Sequence, residues 1–296
     1  MDVLITAASG DEIHLGGQTY KTMSTQTLNN GQTASTQTPH NNQSVSTQTH
    51  DYQNTTSSQK PVKFLPTGLK LIRKLKFDNP CFTVCHYNGY TYVGQSRGGI
   101  DRIDQSGQIE KAFIKLDTAV ISLVTHKDTM YILMFVSKFK PLTINIRKIN
   151  DGKLVASWDH PYYQFVGQRM LLLGKHQLCV GDWTSKQIII YSLAGRVLRK
   201  VPCPPQLTMT GDVSMTSCGP DSVVISDLSS GNIARMSLED GRLLWSSDSI
   251  EHPGGIFYHQ TGYVFVVSSS ICPTTISVLD ESDGNLFLLY VLVIKA

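Results

Sequence analysis

From about residue 64 onward, short apolar runs alternate with turn residues in a pattern that recurs along the chain. Five segments each combine an alternating strand, a tight turn ending in glycine and a second strand: 98–113, 142–158, 186–201, 231–247 and 274–290. The turn glycines, separated by 45, 43, 46 and 43 residues, are Gly107, Gly152, Gly195, Gly241 and Gly284. Two further strand-like runs come before each hairpin. Three to four strands in a unit of about 40–50 residues predict an all-β fold, a β-propeller of about five four-stranded blades.

The number of blades in the ring stays open at this level. A closed six-blade ring needs one unit more than the five that are visible. The run LKLIRKLKF at 69–77 alternates like a strand and is a candidate for the closing outer strand of a last blade. The fifth unit, however, has an outer strand of its own at 286–291. The sequence therefore allows either a five-blade ring or an incomplete six-blade ring.

The first part of the chain has a different composition. Its only aromatic residues before Val62 are Tyr20 and Tyr52. Between positions 22 and 50 there is no Asp, Glu, Lys or Arg, and 21 of these 29 residues are Ser, Thr, Asn or Gln. Such a segment buries too little apolar surface to offset the entropy of ordering its backbone. We therefore expect a disordered tail over 1–63 and a propeller over 64–296.

The tail contains a regular repeat. Ser-Thr-Gln-Thr begins at Ser24, Ser35 and Ser46, a constant step of eleven residues. A polar, Thr-rich segment extends easily and can add as a strand to an exposed sheet edge. A tract amplified by replication slippage would look similar, so a segment without a binding role is the alternative.

The repeat resembles the peptide recognised by the dynein light chain hub family, a symmetric dimer with two parallel edge-strand grooves. The resemblance implies that the glutamine of each motif is the anchor and that threonines flank it. The implied partner-binding residues are Thr25, Gln26, Thr27, Thr36, Gln37, Thr38, Thr47, Gln48 and Thr49.

The propeller units resemble NHL-type repeats, found as the C-terminal domain of tripartite-motif proteins, more than WD repeats, because no Trp-Asp closes the third strand. The segments VGDWTSKQIIIYSLAG and ISDLSSGNIARMSLEDG place the aspartate of that pattern at Asp182 and Asp227. The first, second and fifth units lack this aspartate, and no RING or B-box cysteine pattern precedes the propeller. We expect both aspartates to cap turns rather than to bind a ligand.

Charge and known chemical motifs narrow the function further. Residues 64–296 carry 23 basic and 19 acidic residues, so the propeller is only mildly basic. The stretch from Lys60 to Lys76 has six basic residues and no acid, and its alternation favours a lysine-protected edge strand over a phosphate-contacting or nuclear-targeting segment. The nearest approach to a metal motif is Cys81-x₃-Cys85-His86, whose cysteines we expect to pack as small apolar groups. HExxH, P-loop and CxxC motifs are absent from the sequence. These observations predict a non-enzymatic protein without cofactor or metal.

The ends of the chain bear on its location. The start, MDVLITAASGDE, does not have the pattern of a secretory signal peptide, and the apolar run at 286–294 is too short to cross a bilayer as a helix. We therefore expect a cytoplasmic protein with reduced thiols and no membrane partner. The predicted function is a scaffold whose propeller binds a protein target and whose tail recruits a dynein-light-chain-type dimer. The alternative is an NHL-like, RNA-binding propeller with an inert linker.

Overall fold

The computed structural model describes residues 2–8, 69–161, 169–174, 176–209, 213–259, 261–268 and 274–292. All regular secondary structure in these ranges is β-strand. The first two, β1 (Asp2–Ala8) and β2 (Leu69–Lys76), pair antiparallel as a separate two-stranded sheet. β1 lies within residues 1–63, the segment for which the sequence predicts a disordered tail, and residues 9–68, which include the Thr-Gln-Thr repeat, lie outside the described ranges.

Twenty further strands form five antiparallel sheets of four, and neighbours in each sheet are also neighbours in the chain. Blade 1 contains β3 (Cys81–Tyr87), β4 (Tyr90–Gln95), β5 (Ile100–Ile103) and β6 (Ile109–Ile114). Blade 2 contains β7 (Ala119–His126), β8 (Thr129–Phe135), β9 (Leu142–Lys148) and β10 (Leu154–His160). Blade 3 contains β11 (Met170–Leu173), β12 (Gln177–Asp182), β13 (Gln187–Ser192) and β14 (Val197–Pro202). Blade 4 contains β15 (Val213–Ser217), β16 (Ser222–Asp227), β17 (Asn232–Ser237) and β18 (Leu243–Ser247). Blade 5 contains β19 (Pro253–His259), β20 (Tyr263–Ser268), β21 (Thr274–Asp280) and β22 (Leu286–Leu292).

The turns between the third and fourth strands confirm the predicted hairpins. The five glycines that end these turns all have a positive φ, between +67° and +86°. This is the left-handed region that residues other than glycine enter at a cost. The pairing register shifts next to the turn in blades 3, 4 and 5, as is common where a glycine turn adds a bulge to a hairpin.

Packing of each blade between two neighbours explains why the middle strands are continuous apolar runs. Successive residues of a strand point to opposite faces of its sheet. In β13, Ile188 and Ile190 belong to the cluster shared with blade 4, whereas Ile189 and Tyr191 belong to the cluster shared with blade 2. Both faces are therefore buried, and the strand carries apolar residues at every one of these positions.

A second contact between blades recurs at their outer strands. A residue in the last strand of one blade lies against the turn glycine of the next blade in the chain. The pairs are Ile114 with Gly152, Trp158 with Gly195, Pro202 with Gly241, and Trp245 with Gly284.

The structure decides between the two ring sizes. The first strands of all five sheets contribute residues to one central cavity, so they are the inner strands of a single ring. β22 is the outer strand of the fifth blade, and β2 pairs with β1 instead of joining a blade. The predicted all-β propeller of five four-stranded blades is confirmed, and the ring is one of five blades. Leu75 in β2 and Phe77 just after it pack against Val93 and Ile103 of blade 1.

Candidate functional site

The central cavity follows from the arrangement of the inner strands. Its volume is about 370 Å³, and its apolar lining includes Phe82, Val84, Leu171 and Ile256. Arg169 is the one charged side chain among the described residues that line it. The cavity is therefore a short apolar passage with a cation in its wall.

Side-chain hydroxyls tie the inner strands of neighbouring blades together. Thr83 Oγ1 accepts a hydrogen bond from Leu123 N at 3.1 Å, which joins blade 1 to blade 2. Ser122 Oγ accepts one from Met170 N at 3.0 Å, and Thr216 Oγ1 accepts one from Tyr258 N at 3.2 Å. These bonds join the inner strands of neighbouring blades around the passage. The sequence does not reveal them, because each hydroxyl and its donor lie 40 or more residues apart in the chain.

The two aspartates of the NHL-like pattern act as turn caps, as expected. Asp227 is fully buried, and its carboxylate accepts hydrogen bonds from Met209 N at 2.8 Å, Thr208 Oγ1 at 2.9 Å and Ser229 N at 3.1 Å. Burial acts to raise the pKa of Asp227, but these hydrogen bonds outweigh it and hold the pKa below its usual value. Asp227 therefore stays ionised and joins its own turn to the connection that enters blade 4.

The equivalent aspartate of blade 3 caps a turn in the same way. Asp182 accepts hydrogen bonds from Ser185 N at 3.3 Å and Gln187 Nε2 at 3.0 Å. In blade 1 the position is Gln95, whose side-chain amide donates to Asp101 on the neighbouring strand. Asp101 in turn accepts a hydrogen bond from Ala112 N at 2.7 Å. The carboxylate of Asp101 thus joins β5 to β4 and β6 instead of capping the turn after β4.

The cysteine–histidine segment of β3 is part of the packing. Cys85 lies against the cluster between blades 1 and 2, and burial raises the pKa of its thiol to about 12. Burial also raises the pKa of Cys81. Both thiols are therefore protonated near neutral pH and are poor metal ligands and nucleophiles. Within the described ranges, no three His, Cys, Asp or Glu side chains are placed to hold a metal ion.

A buried histidine joins blades 2 and 3. Nδ1 of His160, at the end of β10, lies 2.7 Å from the hydroxyl of Tyr191 in β13. Burial lowers the pKa of His160 to about 4, against an opposing effect of Asp182. The sequence gives no sign of this contact, because Tyr191 lies 31 residues further along the chain.

Exposed apolar side chains lie mainly on the outer strands. Six of the ten large hydrophobic residues that are exposed among the described ones follow a turn glycine by two or three positions. We call these six residues the perimeter belt: Leu154, Val155, Val197, Leu198, Leu244 and Leu286. They recur from blade to blade because the hairpins themselves recur.

A second exposed feature is the loop between β8 and β9. Phe139 is 80% exposed and stands between Lys138 and Lys140, with Lys138 Nζ 5.0 Å from the centre of its ring. In an antiparallel blade, this loop lies on the face of the ring at which the inner strands begin. That face therefore presents an aromatic ring flanked by two cations.

The residues implied as partner-binding in the tail all lie outside the described residues. They are Thr25, Gln26, Thr27, Thr36, Gln37, Thr38, Thr47, Gln48 and Thr49. The described part of the chain contains no helix with the length and hydrophobicity needed to cross a membrane.

Comparison with known proteins supports the fold and does not identify a family. No protein-family model matches the chain, and no curated protein matches it. A solved protein of unknown function from Bacteroides caccae is similar over 75% of this chain and 86% of its own, with a TM-score of 0.56 at 12% identity. A chain of the solved Mitotic Checkpoint Complex is similar over 75% of this chain and 68% of its own, with a TM-score of 0.52 at 10% identity. At such low identity the likeness shows the fold alone. The chain is therefore defined by its class, a five-bladed β-propeller.

Proposed function

We propose that the chain is a non-enzymatic interaction scaffold whose propeller binds a protein target through its outer strands. The perimeter belt is the observation that carries this proposal. Apolar side chains that stay exposed at the same place on successive blades offer a repeated apolar surface to a partner. A cation follows the turn glycine in blades 2, 3 and 4, at Lys153, Arg196 and Arg242, so the apolar positions have a polar margin as protein interfaces do.

The tail is the second binding element of this scaffold. We assign it the recruitment of a dynein-light-chain-type dimer through Gln26, Gln37 and Gln48, on the strength of the eleven-residue step. Eleven extended residues span at most about 36–40 Å. One tail cannot fill both parallel grooves of one dimer with so short a spacer, so two tails side by side are expected to hold three dimers.

Avidity makes this assembly cooperative. A short disordered segment binds weakly by itself because it must be ordered on binding. Once one dimer has joined two tails, the next binding event is effectively intramolecular. Changing Gln37 to Ala should therefore weaken assembly more than the loss of one independent site would. Sedimentation of the chain with a light chain measures this, and one-to-one binding would contradict the array.

The similarity to NHL repeats supports a cytoplasmic adaptor of that kind. It depends on Asp182 and Asp227 and on the spacing of the hairpins. The buried, protonated thiols and the turn-capping carboxylates all have structural roles, which agrees with a function in binding rather than catalysis.

Phe139 with its two flanking lysines favours a second candidate function, the binding of single-stranded RNA. Bases stack on exposed aromatic rings, and lysines contact the phosphates. In that case a labelled single-stranded RNA should bind less tightly as salt rises, and Lys138→Glu with Lys140→Glu should remove the binding. RNA binding that ignores these substitutions would contradict this assignment.

The scaffold proposal is tested by comparing three forms of the full chain in one capture experiment. The forms are the unchanged chain, a tail variant with Gln26, Gln37 and Gln48 changed to Ala, and a belt variant with Leu154 and Val155 changed to Ser. We expect each variant to lose a different set of partners, with the light chain lost only from the tail variant. A belt variant that captures the same proteins as the unchanged chain would contradict a role for the perimeter belt.

A further inference from the structure

The outer strand of blade 3 is an open sheet edge. β14 pairs with β13 on one side, and no described strand pairs with its other side. An edge strand presents backbone N–H and C=O groups that an extended chain can hydrogen-bond. The backbone of β14 therefore has room for one more antiparallel or parallel strand.

The first four side chains of this edge are exposed. Residues 197–200 are all exposed, with Val197 at 45% and Leu198 at 40%, whereas Val201 is buried at 2% and anchors the end of the strand. Arg199 pairs across the sheet with Ile190, and Lys200 pairs with Ile189. Since successive residues point to opposite faces, the two cations stand on either side of the edge.

The charge around β14 has one sign. From Trp183 to Met209 the sequence has four cations, Lys186, Arg196, Arg199 and Lys200, and no acidic residue. None of the four forms an ion pair with a described residue. Such a cluster attracts a partner of opposite charge.

The outer strands of the other blades differ in charge. In β6 both charged side chains are paired, Glu110 with Arg102 at 2.6 Å and Lys111 with Asp78 at 2.6 Å. In β10 the titratable residues are Asp159 and the buried His160, so this strand has no Lys or Arg. β18 has no titratable residue. Of the outer strands whose side chains are described, β14 alone combines an apolar start with unpaired cations.

We propose that β14 accepts an extended acidic segment of a partner protein as a fifth strand of blade 3. In this arrangement the partner's backbone pairs with the β14 edge, its acidic side chains face Arg199 and Lys200, and its apolar side chains lie beside Val197 and Leu198. The inference rests on the proposed scaffold function and specifies the partner that one part of the perimeter belt takes.

A second copy of the chain is a poorer occupant of the same edge. Antiparallel pairing of β14 with itself would place Arg199 and Lys200 of one copy close to the same cations of the other. Like charges opposite each other destabilise a strand pair. The cations therefore select against self-association and in favour of an acidic strand.

The test uses the full chain and a capped nine-residue peptide that carries a fluorescent label. In the peptide, pairs of Glu alternate with pairs of Val, so that both faces of the added strand present an acidic and an apolar side chain to β14. Fluorescence anisotropy measures its binding at low salt and at about 150 mM salt, where charges further apart than about 8 Å are screened. A control peptide of the same charge has two valines replaced by proline, which removes backbone donors needed for strand pairing.

Two charge-reversal variants locate the site. Arg199→Glu with Lys200→Glu should weaken binding of the acidic peptide about tenfold, because each substitution removes an attraction and adds a repulsion between like charges. Lys138→Glu with Lys140→Glu, an equal change of charge on the β8–β9 loop, should weaken it less than about twofold. The first variant should also gain binding of a Lys/Val peptide, which a merely misfolded variant would not.

The proposal is overturned if the unchanged chain does not bind the acidic peptide, if both variants lose binding equally, or if the proline peptide binds as well as the valine peptide. If Arg199 and Lys200 serve only to protect the edge from other strands, the unchanged chain will not bind the acidic peptide. In that case, changing both residues to Gln should cause self-association. Loss of peptide binding while belt-dependent capture persists would reject this inference and leave the scaffold function standing.

Discussion

Replacing Gly195 by alanine tests whether the contact between a turn glycine and the preceding blade holds the ring together. Gly195 has a φ of +85°, and a Cβ added there would lie 2.6 Å from Cδ2 of Trp158 in the outer strand of blade 2. The left-handed conformation costs a residue other than glycine about 1–2 kcal/mol. Inserting a methyl group into a filled contact costs about 1–3 kcal/mol more. We therefore expect Gly195→Ala to lower the free energy of unfolding by about 2–5 kcal/mol.

A matched control separates the two contributions. Gly219 has a φ of +79°, and a Cβ there would meet no atom within 4 Å. Gly219→Ala should cost only the conformational part, about 1–2 kcal/mol. Trp158→Leu removes the ring atoms that the new methyl group would meet, so Gly195→Ala in that background should cost no more than the control.

Urea unfolding of the full chain, followed by circular dichroism, measures all four variants. Circular dichroism is the better probe because two of the variants lack one of the three tryptophans. A coupling free energy between Gly195→Ala and Trp158→Leu of about 1–3 kcal/mol is expected. The reasoning is refuted if Gly195→Ala costs no more than Gly219→Ala, or if Trp158→Leu leaves its cost unchanged.

Two further predictions concern buried titratable groups. The pKa of His160 is lowered to about 4, so between the ordinary pKa of about 6.5 and that value the unfolded chain binds a proton that the folded chain does not. As the pH is lowered over this range, the free energy of unfolding should decrease by at most about 1.4 kcal/mol per pH unit, or about 3 kcal/mol in total. Urea unfolding at a series of pH values measures this slope, and His160→Gln should flatten it. Equal slopes for the unchanged chain and the variant would contradict the prediction. Asp227→Asn places an amide group against three hydrogen-bond donors and should cost about 2–3 kcal/mol. Asp159→Asn, at an exposed position, is its control and should change the thermal midpoint little; equal shifts of the midpoint would show that the cap of Asp227 is dispensable.

Local patterns made the blades predictable from the sequence. Strand alternation and the turn glycines are properties of a few adjacent residues, and they gave the five hairpins, the spacing of the blades and the all-β class. The number of blades in the ring was not determined, because the run at 69–77 has the same alternation as a blade strand. Only its pairing with β1 separates it from the blades.

Contacts between blades were harder to predict because their partners lie far apart in the chain. The bond from Leu123 N to Thr83 spans 40 residues, and the bond from Tyr258 N to Thr216 spans 42. Blade 1 has Gln95 where the pattern requires an aspartate, and Gln95 hydrogen-bonds to Asp101 on the next strand. The pattern covers single positions along the chain and does not include this pairing between strands.

The exposed part of β14 is expected to contribute little to the stability of the ring, because its anchoring residues are different ones. Val201 is buried between blades 3 and 4, and Pro202 lies against Gly241 of the next blade. Arg199 and Lys200 are exposed and form no ion pair with a described residue. Changing both to glutamate should therefore alter the free energy of unfolding by less than about 1 kcal/mol, which the same urea series measures. A loss above about 2 kcal/mol would show that the aliphatic parts of these side chains pack on the neighbouring blades. Arg199 and Lys200 would then serve the stability of the ring rather than the binding of a partner.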